Sequence, residues 1–203
     1  MKKILVTQRI ADNPTYVERR DALAHDWAAL FAAYDILPIL VPNAGRDPHA
    51  YLSLGASGLL LTGGDDMGAP GEPTMRDATE FCLLEGAMAQ KLPVFGVCRG
   101  LQVINRHFGG RVKTGLPEPH VGDHDVILDT GVAQRVNSFH VQGVMASGLA
   151  PALVAFAQTR GGVIEALRHR SLPITAVQWH PERPSPSAAL DKTLIERWLT
   201  QCA

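Results

Sequence analysis

Residues 93–105 read Pro93-Val94-Phe95-Gly96-Val97-Cys98-Arg99-Gly100-Leu101-Gln102-Val103-Ile104-Asn105, and this stretch decides the fold. PVFGV (93–97) is a short apolar run bounded by a proline, which reads as a strand, and LQVINRHF (101–108) then changes to helix-like spacing. A strand passing into a helix through Gly-Val-Cys-Arg-Gly has the plan of a nucleophile elbow, with cysteine where G-x-S-x-G carries serine. Glycines two positions to either side of Cys98 leave room for a sharp turn that side chains would block. That turn thrusts its central residue out at the carboxyl edge of the sheet, where open α/β folds bind ligands. The helix N-terminus behind it favours thiolate over thiol. Taken alone, the five residues fit equally well a buried thiol with no chemical role, since free cysteine is among the most often buried residue types.

On the N-terminal side, Ile4–Val6 reads as a first strand. Residues 17–34 have helical spacing, with Leu23, Trp27, Leu30, Phe31 and Tyr34 on one broad face. ILPILVP (36–42) and GLLLT (58–62) read as strands, and 76–90 as a helix carrying Phe81, Leu84 and Met88. Alternating strand and helix predicts a parallel sheet with covered faces. Beyond the elbow the runs at 125–128, 135–139, 153–157, 163–167 and 174–179 are short and joined by turns, and 187–200 closes as a helix. The expected fold class is therefore α/β: an open, mostly parallel sheet flanked by helices, with an antiparallel C-terminal addition. No repeat or polar linker divides the chain, so its 203 residues are expected to form one domain, 1–203.

Lys plus Arg number 19 against 20 Asp plus Glu, a formal charge of −1. That balance supplies no basic field for nucleic acid and no cationic face for a membrane. The apolar run at the N-terminus is too short for a signal peptide, and Cys82, Cys98 and Cys202 contain no C-x-x-C pair. A reducing cytoplasm is the expected compartment, and a homodimer is allowed.

A cysteine nucleophile needs a base, and Ala176-Val177-Gln178-Trp179-His180-Pro181-Glu182 offers one. An apolar strand ends in His180, and Glu182 follows where it can hold the imidazole in the required tautomer. A polar strand exit is the plain alternative, which the pairing with a cysteine elbow disfavours. Leu61-Thr62-Gly63-Gly64-Asp65-Asp66 follows another strand, and its glycines let N–H groups approach a ligand. With the N–H of Arg99 they could form an oxyanion hole, or they could be an ordinary turn. Asn137-Ser138-Phe139-His140, at a further strand end, either lines the cleft or is simply polar. His120 and His124 have i, i+4 spacing, but Pro117, Pro119 and Gly122 speak against a helix that would present both to a metal. No third ligand is obvious, so no metal site is expected.

The elbow, the His-Pro-Glu strand end and the glycine turn, in this order, resemble the class I glutamine amidotransferase-like superfamily, within it the γ-glutamyl-γ-aminobutyrate hydrolase-like (peptidase C26) branch. The resembling segments are LLLTGGDD (59–66), RDATE (76–80), PVFGVCRGLQVIN (93–105), FGG (108–110), VNSFHVQG (136–143), VIEAL (163–167) and AVQWHPER (176–183). The resemblance implies a flavodoxin-like fold, with Cys98 as nucleophile, His180 as base and Glu182 as its partner. It also implies oxyanion-hole N–H groups from Gly64 and Arg99. Gln102 and the segment Asn137, Ser138, Phe139 would hold the glutamyl α-amino and α-carboxylate groups. Arg76 would act on the substrate side and His140 near the leaving group. The implied reaction cleaves a small γ-glutamyl amide through a thioester, with no cofactor. The leaving amine would be γ-aminobutyrate or a CDP-amidate of capsule phosphoramidate synthesis. Two other readings are a glutaminase subunit feeding ammonia to a synthetase and a non-catalytic binding module. The segments after Gly64 and between His124 and Asn137 are shorter than in the branch, which predicts an open cleft.

Overall fold

The computed structural model describes residues 1–45, 47–116 and 120–202. Pro117 and Pro119 lie outside the described residues. In chain order the elements begin with β1 (Lys2–Thr7), β2 (Arg9–Asp12), β3 (Arg19–Ala22), α1 (His25–Ala33), β4 (Ile36–Val41), α2 (His49–Leu52) and β5 (Gly58–Leu61). The centre of the chain forms α3 (Met75–Ala89), β6 (Val94–Val97), α4 (Arg99–His107) and the short β7 (Lys113–Thr114). Then come β8 (His124–Leu128), β9 (Ala133–Val136), β10 (Gln142–Met145), β11 (Leu153–Gln158), β12 (Val163–His169), β13 (Ile174–Val177) and α5 (Ala188–Gln201).

The main sheet runs β4-β1-β5-β6-β13-β12-β11-β8-β9, with β10 pairing to β12. Its first five strands are parallel neighbours, and β12, β11, β8 and β9 continue it antiparallel. The α/β fold read from the sequence is the one observed. Strands β1, β5 and β6 are buried on both faces, as crossover helices require of a central parallel sheet. One core packs Leu83, Leu84, Leu101 and Ile104 of α3 and α4 against one face. The other packs Trp27, Phe31, Ile195 and Trp198 of α1 and α5 against the opposite face.

The helix expected over 17–34 is shorter than its apolar spacing implied. Residues Arg19–Ala22 pair antiparallel with Arg9–Asp12 as a separate hairpin, and helix begins only at His25. The competing force is tertiary: Asp21 accepts hydrogen bonds from the Asn43 main chain at 2.9 Å and its side chain at 2.6 Å. Those bonds hold the segment extended beside the end of β4. The α3 helix starts at a capping box in which Thr74 and Asp77 satisfy each other's main-chain N–H.

Candidate active site

Cys98 sits between β6 and α4 with φ 53° and ψ −104°, a conformation that side-chain-bearing residues avoid. Its N–H donates to the Val177 carbonyl at 2.8 Å, and its own carbonyl accepts from Leu101 N–H at 3.1 Å. The flanking glycines are needed for contact reasons. A Cβ on Gly100 would stand 2.3 Å from the Leu61 carbonyl oxygen, and one on Gly96 2.9 Å from the Gly100 carbonyl carbon.

The parallel pairing of β6 with β13 sets Val97 beside Val177, so the residues that follow each strand emerge at the same sheet edge. His180 is reached three residues past Val177, and its Nδ1 lies 2.6 Å from Glu182 Oε1. Asn137 clasps its main chain from both sides: Oδ1 accepts from His180 N–H at 2.8 Å, and Nδ2 donates to His180 O at 2.9 Å. The ring of Phe139 meets the imidazole edge-on at 5.4 Å, and the Arg183 guanidinium lies 4.3 Å over Phe139. Burial would lower the imidazole pKa, but hydrogen bonding to Cys98 and Glu182, together with their charges, raises it to about 9.

These groups face a cleft of about 100 Å³. Gly63 and Gly64 form one wall, and Arg9, Ala22–Ala24 and Trp27 close it from the hairpin side. The hairpin was not anticipated, and it makes the cleft narrower than the short segments after Gly64 and His124 implied. A Cβ on Gly63 would come within 2.8 Å of His180 Cε1 and 3.3 Å of Cys98 Cβ. Gly63→Ala is therefore expected to lower kcat at least tenfold (roughly 1.4 kcal/mol of transition-state stabilisation) by pushing the imidazole off line. The urea midpoint should move little. A variant with unchanged kcat would show that the ring has room the contacts deny it.

Beneath the glycine turn lies a buried ionic cluster. Arg76 donates to Thr62 O at 2.8 Å, Gly63 O at 3.1 Å and Glu80 Oε1 at 2.9 Å. Arg99 donates to Glu80 Oε2 at 3.0 Å, Asp77 Oδ1 at 2.5 Å and Asp65 O at 3.1 Å. Arg76 thus reaches the site as a tether of the turn and does not line the cleft. Gln102 is also inward, donating to Gln142 O at 3.1 Å and facing Gln178 Oε1 at 3.4 Å. The Asn137 side chain is committed to His180, and Ser138 Oγ donates to the His120 carbonyl. Of that segment only Phe139 borders the cleft. His140 turns away into a group with His120, His124 and Glu165. Sequence reasoning missed Gln178, whose amide donates to Cys98 Sγ at 3.5 Å. Its place two residues before His180 was the available signal.

The Peptidase C26 family model matches residues 5–182. The γ-glutamyl-CDP-amidate hydrolase of Campylobacter jejuni subsp. jejuni serotype O:2 is 29% identical, with 88% of each chain covered. The γ-glutamyl-γ-aminobutyrate hydrolase of Escherichia coli O157:H7 is 28% identical, covering 82% of this chain and 80% of its own. A glutamine amidotransferase of Thermotoga maritima matches the fold with a TM-score of 0.67 at 16% identity, over 98% of this chain and 81% of that one. No helix among the described residues is long and apolar enough to cross a membrane.

Proposed function

The chain belongs to the peptidase C26 family, and from that premise we propose that it hydrolyses the γ-glutamyl amide bond of a small conjugate whose leaving amine carries a negative charge. The observation that carries this reading is the strained turn at Cys98 set beside an imidazole clamped to a carboxylate at 2.6 Å. Cys98 Sγ attacks the γ-carbonyl carbon, and the N–H groups of Gly64 and Arg99 receive the developing oxyanion. His180 gives a proton to the departing amine, leaving a thioester on Cys98. Water then attacks the thioester with His180 as base, glutamate leaves, and the thiol is restored.

The charge preference comes from Arg9 and Arg183 at the cleft. Arg9 is exposed and Arg183 partly so, with Arg9 Nε 3.8 Å from Asp65 and Arg183 Nε 3.7 Å from Glu182. A carboxylate such as that of γ-aminobutyrate and the phosphates of a CDP-amidate both suit such a rim. Two relatives named for hydrolysis of these substrates support the reading. Glutamate release is to be measured for γ-glutamyl-γ-aminobutyrate, γ-glutamyl-CDP-amidate, a neutral γ-glutamyl alkylamide and glutamine. The anionic amides are expected to lead in kcat/KM by about tenfold or more, an advantage that Arg183→Ala reduces. Preference for glutamine, rising with a co-purifying synthetase, would replace this reading with that of a glutaminase subunit. Failure of any γ-glutamyl electrophile to label Cys98 would leave a binding module.

The imidazole supplies the proton for the leaving amine and keeps it up to about pH 9. kcat/KM should therefore fall as pH rises through that value. Glu182→Gln removes an influence that raises the imidazole pKa, so the alkaline limb should move to lower pH. Its rate should drop by about 10²-fold, a smaller loss than that of the nucleophile, because Asn137 still holds the His180 main chain. A limb that stays in place in this variant would remove Glu182 from its role.

A further inference from the structure

We infer that His120, His124, His140 and Glu165 form a binding site for one divalent transition-metal ion of the zinc class, apart from the Cys98 cleft. None of the four lines that cleft. His120 precedes β8, His124 opens it, His140 lies between β9 and β10, and Glu165 projects from β12. The antiparallel half of the sheet thus gathers four side chains from separate strands and loops. Each can offer a ligand atom, and these atoms all lie within 4.8 Å of one another.

Three observations point to a cation. The first is unmet polarity: Glu165 is wholly buried and His120 and His140 nearly so. Both Glu165 oxygens, both nitrogens of His120 and of His124, and Nε2 of His140 are buried without a hydrogen-bond partner among the described residues. Groups of this kind are ordinarily paired. The second is spacing. His120 Nδ1 and His140 Nε2 each stand 3.4 Å from Glu165 Oε1, and His124 Nε2 stands 3.5 Å from Oε2. These lengths are long for hydrogen bonds. They match the edge of a tetrahedron around zinc, about 3.3–3.4 Å for metal–ligand bonds of about 2.0–2.1 Å. The remaining separations, none above 4.8 Å, would close by rotation of the imidazoles, whose χ2 wells are broad. The third is orientation: His140 Nδ1 lies 2.9 Å from the Gln142 carbonyl. Nδ1 then carries the proton of the neutral ring, in which Nε2 is a lone pair free to ligate. A main-chain carbonyl holding the far side of a ligating imidazole is the usual outer arrangement of such metals.

Three imidazoles and one carboxylate suit zinc better than magnesium or calcium, which take oxygen ligands. With four protein ligands the coordination is closed, so the ion is structural. Its place fits that role. The His120 carbonyl accepts from Ser138 Oγ and from His140 N–H, and Val121 bridges to Phe139. The ion would therefore tie down the segment that seats Phe139 over the His180 imidazole.

The test uses tag-free full-length protein carrying Cys82→Ser and Cys98→Ala. These changes remove the exposed Asp47–His49–Cys82 group and the elbow thiol as competing ligands. Chelator-stripped protein is titrated with Co2+, and separately with Zn2+ while melting is followed. One equivalent of Co2+ with the visible absorption of a four-coordinate ion is expected, together with a Tm that climbs with Zn2+ concentration. His124→Ala and Glu165→Gln should each weaken binding by about 100-fold or more. Uptake below about a tenth of an equivalent at excess metal would overturn the site. So would binding that survives both substitutions unchanged. Neither result bears on glutamate release, so this inference and the proposed hydrolase stand or fall separately.

Discussion

Cys98→Ala will abolish glutamate release, with kcat falling by about 10⁴-fold or more, while Cys98→Gly, equally inactive, will be the more stable of the two by about 1 kcal/mol. The first half follows from the proposed chemistry, since among the described residues no other side chain at the cleft carries a nucleophilic sulfur. The second half inverts an ordinary rule. Glycine normally costs about 0.5–1 kcal/mol relative to alanine, because its unfolded chain has more freedom to lose. At Cys98 the backbone sits at φ 53°, ψ −104°, which glycine adopts freely and alanine only with strain of about 1–3 kcal/mol. Strain relief therefore outweighs the entropy term. Urea unfolding of both variants, with m compared to confirm two-state behaviour, measures the difference. Alanine as the more stable replacement would mean that the turn stores no strain.

How much of this was legible in the sequence differs between the two halves of the sheet. The parallel half declared itself because its strands are short apolar runs and the segment between β5 and β6 is a helix with one apolar face. The Cys98 turn was readable because glycine is the only residue that fits at 96 and 100, so local sterics fix the motif. The hairpin of β2 and β3 was hidden: Leu23, Trp27 and Phe31 keep helical spacing, while the bonds from Asn43 to Asp21 that hold the preceding residues extended come from another part of the chain. The same reason explains Arg76. It looks like a surface arginine at a helix start, and only the fold brings Thr62, Gly63 and Glu80 around it. His120 and His124 were set aside for want of a third ligand, because His140 and Glu165 reach them only through strand pairing. What sequence shows is local geometry; what it hides is which polar groups meet across the sheet.

Glu80 is a position of that hidden kind. Its carboxylate is wholly buried and accepts from Arg76 Nε, Arg99 Nε and Thr7 Oγ1 at 2.9, 3.0 and 3.0 Å. Glu80→Ala leaves two buried guanidinium groups with, among the described residues, only the carboxylates of Asp77 and Asp65 to answer them, so a loss of about 3–5 kcal/mol is expected. The pair itself need not be stabilising overall, since desolvating both ions offsets most of their attraction. Replacing Arg76 along with the carboxylate, as Arg76→Met with Glu80→Met, leaves Arg99 paired with Asp77 and should then recover part of the stability that Glu80→Ala loses. Activity should not recover with it. Arg76 supplies the donors that hold the Thr62 and Gly63 carbonyls, and Gly63 packs against both Cys98 and His180. Without that tether the turn can shift by a few tenths of an ångström, enough to misplace the Gly64 N–H that we propose as an oxyanion donor. Unfolding midpoints of the single and double variants, set beside glutamate release by the folded fractions, separate the two roles. A Glu80→Ala loss under about 1 kcal/mol would mean the arginines find other partners. A double variant that keeps wild-type turnover would mean the turn holds its shape unaided.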